Sequence, residues 1–137
     1  MAEHTIKAFD DEIDRLRGLI AEMGGRAEAA IENAMLALQR HDKVLAAEVV
    51  ADDRRIDAIE AEVEKMVVEV IALRAPMAND LRDVIAALKI VSVVERIGDY
   101  AKNIAKRVPL VATNTRTMEG RSEIGSMGRG VVATSGT

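Results

Sequence analysis

Residues 70–88 read VIALRAPMANDLRDVIAAL, and the fold turns on the segment Arg74-Ala75-Pro76-Met77 in their midst. Apolar residues recur at helical spacing on both sides of it, but a helix cannot run through it. The proline ring pushes Ala75 out of helical geometry, so one helix ends at Arg74-Ala75. Pro76 in turn suits the first turn of a new helix, where Asn79 and Asp80 place polar and negative groups near the positive end. The new helix starts at about Met77. A connection this short leaves two consecutive helices only one arrangement, antiparallel.

Upstream of the turn, apolar residues follow 3,4 spacing through Val49, Ile56, Ile59, Val63, Met66, Val70 and Leu73, with Asp52 standing in a seam position. This second helix begins after His41-Asp42, where Asp42 is a good N-cap. Before it, Ile6, Phe9, Ile13, Leu16, Ile20, Met23, Ala27, Ala30, Ala34 and Ala37 carry the same rhythm and predict a long first helix. Gly24 and Gly25 interrupt it at a cost of roughly 1–2 kcal/mol relative to alanine. The small residues just beyond them favour a neighbour packed close against bare backbone.

Downstream, the third helix is apolar on a broad face through Leu81, Val84, Leu88, Ile90, Val91, Val94, Ile97, Ala101 and Ile104, which implies more than one neighbour. Pro109 stops it. The expected fold is all-α, an elongated antiparallel three-helix bundle over residues 1–109, with helices of roughly 45 Å at about 1.5 Å per residue. Residues 110–137 change character: the tail holds five of the nine glycines, many Ser and Thr, and no sustained period. It reads as a flexible, weakly structured tail, and its abrupt onset points to truncation or a shifted reading frame.

Composition fits this reading and excludes several classes of function. Phe9 and Tyr100 are the only aromatic residues, so the core is aliphatic and alanine-rich. The 19 basic and 23 acidic side chains are interspersed and sum to −4, so the chain lacks the basic stripe of a nucleic-acid binder. Without cysteine there is no disulfide, thiolate metal site or thiol catalysis. The charged N-terminus is no signal peptide, and no stretch approaches the roughly 20 apolar residues of a membrane span. A cytoplasmic protein without direct membrane insertion is expected.

Two acidic constellations are candidates for chemistry. Asp53, Asp57, Glu60 and Glu64 line one stripe of the second helix, and Glu95 and Asp99 stand one turn apart on the third. Glu95 interrupts the apolar stripe at Leu88 and Val91, where a carboxylate is costly to bury unless it is paired or ligates a metal. With the reversal near residue 76, Asp53 and Asp57 fall level with Glu95 and Asp99. Four carboxylates can then meet across one helix interface. Hard oxygen donors suit iron, manganese, magnesium or calcium better than zinc or copper, and Gly98 would let a ligand approach the backbone. The competing explanation is a solvated acidic face balanced by Arg54, Arg55, Lys65 and Arg96, with Glu95 in a buried ion pair with Arg82 or Lys89. His4 and His41 read as exposed non-ligands. Neither sits in the Glu-x-x-His pattern of di-iron bundles, and no glycine-rich phosphate loop is present, so the chain is not expected to be an enzyme.

The run Arg74-Ala75-Pro76-Met77-Ala78-Asn79-Asp80-Leu81-Arg82, followed by Glu95-Arg96-Ile97-Gly98-Asp99, resembles the signature of the PhoU family. Phe9, Glu12, Leu16, Met23 and Gly24 resemble that family's first helix, and Asp53 and Asp57 fall at its acidic D-x-x-x-D motif. The resemblance covers about residues 5–110. It implies a cytoplasmic all-α regulator of phosphate uptake and phosphate-starvation signalling. Such a protein would act on the ATPase of a phosphate ABC transporter and on a PhoR-type sensor kinase, and would form a homodimer. It also implies a divalent or trivalent metal ion (iron, manganese, magnesium or zinc) on Asp53, Asp57, Glu95 and Asp99, with Asp80 and Arg82 structuring the turn. Two departures stand out. The family commonly carries two three-helix repeats, of which this chain resembles only the N-terminal one, and its usual Gln before the turn proline is Ala75 here. The alternative from another class is a structural helical oligomerisation module with neither metal nor signalling role.

Overall fold

The computed structural model describes the backbone of residues 2–125 and the side chains of residues 7–111. Three helices, α1 (Ala2–Arg40), α2 (Lys43–Arg74) and α3 (Ala78–Gly125), form the expected three-helix bundle, with no strand among the described residues.

Local chemistry sets the junctions. His41 takes a left-handed backbone, φ 54°. Its N–H donates to the Leu38 carbonyl at 3.4 Å and the Asp42 N–H to the Ala37 carbonyl at 2.9 Å, the two bonds of a Schellman motif. A histidine rather than a glycine at that φ costs about 1–2 kcal/mol. Asp42 then caps α2, as expected, by accepting the Leu45 N–H on Oδ1 at 3.0 Å. At the other end α2 stops at Arg74. Ala75 turns left-handed at φ 44° and donates to the Ile71 carbonyl at 3.2 Å, so one non-helical residue separates the end of the helix from the proline. Ala78, φ 49°, opens α3 in the same strained region.

The chain divides into two units. One takes residues up to Ala29 and Arg54–Gly98. Its core is Leu16, Met23 and Ala27 from α1, Ile56, Ile59, Val63, Val67 and Val70 from α2, and Val84, Ala87 and Val91 from α3. Arg74 ties the end of α2 to α1: Nη2 and Nε donate to Glu12 Oε1 at 2.7 and 3.2 Å, with both side chains largely covered. The other unit takes Ala30–Asp53 and the chain from Asp99. Ala30, Ala34, Ala37, Ala46, Ala101 and Ala105 dominate its core, with Val49 and Val108, and side chains this small let helices approach closely.

Four details differ from the sequence reading. The buried seam of α2 passes through Asp53 and Val67, while Asp52 and Leu73 are exposed and Met66 only half-buried. Between Val49 and Ile56 a 3,4 and a 4,3 step both preserve a helical stripe, and packing chooses the second. The glycines are not a close-approach site, because a Cβ at Gly24 or Gly25 would meet nothing within 4 Å. Substituting either by alanine should therefore raise the unfolding free energy by about 0.5–1 kcal/mol, read as a higher thermal midpoint. His41 is half-buried rather than exposed. Finally, α3 does not stop at Pro109 but runs through it to Gly125. An internal proline costs about 3 kcal/mol, and the packing of Ala101, Ala105 and the fully buried Val108 up to its edge offsets that cost. Residues 126–137 of the expected tail and the side chain of His4 lie outside the described residues.

Candidate carboxylate site

Asp53 continues the inward spacing Ala46, Val49, Asp53 and is therefore carried into the core of its unit at 4 % exposure, the only buried charged residue among those described. A carboxylate withdrawn from water needs a cation beside it. Lys102 of α3 supplies one, with Nζ 3.4 Å from Asp53 Oδ2. The lysine side chain is 31 % exposed, so its stem lies against the helices while its ammonium reaches inward.

The other three carboxylates sit in different surroundings. Asp57, one turn beyond Asp53, is exposed, and so is Asp99. Glu95 is half-buried, with Oε2 closed off from solvent. Asp53 and Asp99 belong to one unit, Asp57 and Glu95 to the other. Among the described residues no three His, Asp or Glu side chains stand where they could hold a metal ion. The cation beside Asp53 in this structure is a lysine. Neither Arg82 nor Lys89, proposed above as a partner for Glu95, forms an ion pair with a described residue. Asp80 and Arg82 are exposed at the start of α3, where the Asp80 N–H donates to the Met77 carbonyl at 3.1 Å.

Sequence reasoning missed two features. Lys102 is the first, although its signal was present: counting from the reversal that places Asp53 level with Asp99 puts Lys102 one turn further along α3. The second is a groove of about 350 Å³ lined by Phe9, Asp10, Ile13, Asp14 and Arg17 of α1 with Asp80 and Asp83 of α3. Its carboxylates are all solvent-exposed, and that of Asp80, in the first turn of α3, complements the helix's positive end.

A family model described as the PhoU domain matches residues 20–108, a span that includes the turn and all four candidate carboxylates. The phosphate-specific transport system accessory protein PhoU homolog of Zymomonas mobilis is 55 % identical over 108 residues, 79 % of this chain and 46 % of that protein. The protein of the same name from Caulobacter vibrioides is 45 % identical over 118 residues, 86 % of this chain and 51 % of its own length. That from Rhizobium meliloti is 41 % identical over 109 residues, 80 % of this chain and 46 % of its own. The chain spans about half the length of the curated relatives it matches.

Proposed function

We propose, from the premise that this chain belongs to the PhoU family, that it regulates phosphate uptake and the phosphate-starvation response. The observation that carries the proposal is the identity to relatives named as phosphate transport accessory proteins, which covers 79 % and 86 % of the chain in two of them. The chain would act by contact with the ATPase of a phosphate ABC transporter and with a sensor histidine kinase, without catalysing a reaction. Its place of action would be the cytoplasm. Among the described residues no helix is long and apolar enough to cross a membrane.

A separate element of the proposal is a metal ion on Asp53, Asp57, Glu95 and Asp99. Its support is the donor chemistry, all carboxylate oxygen, together with the need for positive charge at the buried Asp53. A bound ion would supply fixed positive charge to that acidic region and nothing catalytic. The second reading, a helical oligomerisation module without metal, is favoured by the Asp53–Lys102 pair, which already neutralises the buried Asp53 carboxylate.

Each element has its own test. The chain is expressed in a bacterium lacking its own accessory gene, in phosphate-rich medium, with a phosphatase reporter of the starvation response. Repression of the reporter is expected. A reporter as active as in the empty strain, with the chain present and helical, would refute the regulatory role. Metal content of the purified chain, with Asp57→Ala and Glu95→Ala alongside, separates the readings. Metal above background that both substitutions reduce is the expected result, and background levels in the unsubstituted chain leave the oligomerisation module.

A further inference from the structure

Between Val84 and Ile97, α3 buries one of two apolar faces. Val84, Ala87 and Val91 point into the core, while Ala86, Ile90, Val93 and Ile97 recur at 4,3,4 spacing on a second face. Ile90 is 51 %, Val93 54 % and Ile97 37 % exposed. This is the rhythm of a coiled-coil seam, and all of it lies within one unit. Lys89 and Arg96 directly precede the seam residues Ile90 and Ile97, and Arg82 stands seven residues before Lys89. All three cations are exposed, and none forms an ion pair with a described residue. The opposite flank is Ala87 and Val94, turned toward the core. Of the acids of this stretch, Asp83, seven residues before Ile90, ends the apolar seam at its upstream side and lines the groove shared with α1, and Glu95 is half-buried. At its upstream end the face opens into a shallow groove lined by Leu81, Arg82, Ile85, Ala86 and Lys89.

We propose that this face of α3 docks an amphipathic helix of a partner protein whose own apolar seam is flanked by acidic residues. The seam spacing selects a helix. The flanking cations select its charge, as flanking positions do in paired helices. A second copy docking through the same face is disfavoured, because antiparallel pairing sets basic flank against basic flank and parallel pairing sets it against the inward flank. A lipid surface is also disfavoured: it calls for cations on the polar side of a broad apolar band, whereas by helical angle Arg82, Lys89 and Arg96 fall between the seam and the exposed Leu81 and Ile85.

The test uses the whole chain and two synthetic helices of about four heptads, one with leucine at the seam and glutamate at the flanks, the other identical but for lysine at the flanks. The acidic helix should bind about tenfold or more tighter than its basic twin, with affinity falling as salt rises. The triple variant R82E/K89E/R96E should invert that preference, and Ile90→Ser with Val93→Ser should abolish binding of both helices. All substituted positions are exposed, and circular dichroism equal to the parent's verifies the fold; Lys89→Glu alone should narrow the preference without inverting it. Equal affinity for the two helices, or a preference unchanged in the triple variant, overturns the proposal. So does self-association of the chain that the triple variant abolishes, or sedimentation with phosphatidylglycerol vesicles in the absence of helix binding.

Discussion

Lys102→Met should lower the unfolding free energy by about 2–3 kcal/mol, read as a fall in the urea midpoint at unchanged slope. Removing one partner of a fully buried pair costs about 3–5 kcal/mol, because the charge left behind has neither water nor a counterion. Here the aspartate is buried but the lysine is 31 % exposed, which trims the loss. Methionine retains the aliphatic stem, so lost packing contributes little. If the cost is electrostatic, Asp53→Asn combined with Lys102→Met should recover most of it, since the second change removes the stranded charge. A contrast is available in the same protein. Arg15 and Glu62 are closer, at 2.9 Å, but 68 % and 43 % exposed, and Arg15→Ala should change stability by no more than about 1 kcal/mol. Proximity alone would rank these two pairs the other way round. A Lys102→Met variant as stable as the parent would show that Asp53 is not held by its lysine.

The legible parts of the fold are those decided within a few residues. Asp42 as a cap, Pro76 as a stop and the reversal between them and α3 follow from hydrogen-bonding capacity and ring sterics, which no distant contact has to confirm. The phase of α2 was not legible. Asp52 and Asp53 are both compatible with a helical stripe between Val49 and Ile56, and only the alanine-rich neighbours of the second unit decide which faces inward. Pro109 was misleading for a related reason: its local penalty is real, but Val108 anchors the helix immediately before it. At the carboxylates, the sequence pattern identified which residues were unusual and not how they differ. Asp53 and Asp57 stand in one motif, yet one is buried against a lysine and the other is solvated. The broad apolar face of α3 was visible from the start, but its division into an inward and an outward seam appears only once Val91 is seen buried and Ile90 and Val93 exposed.

Met23→Ala should cost about 2–5 kcal/mol, the range for truncating a buried large side chain when the surrounding structure cannot collapse into the space. Met23 is fully buried, and the other large side chains buried as deeply, Ile56, Ile59, Val63, Val67, Val84 and Val108, all come from α2 and α3. With Leu16 it is the bulk that α1 contributes to the core of its unit, in a chain with almost no aromatic residues to share the load. The next residues, Gly24 and Gly25, offer no side chain to fill a void, and a helix held by α-helical hydrogen bonds on both sides of them cannot shift inward alone. Met23→Leu, nearly equal in volume, should lose less than about 1.5 kcal/mol. Met77, 79 % exposed at the reversal, is the matching control, and Met77→Ala should stay within about 0.5 kcal/mol of the parent. A Met23→Ala loss as small as the Met77→Ala loss would mean that α1 does not pack through Met23, and the seam running from Leu16 to Ala27 would then have to be redrawn.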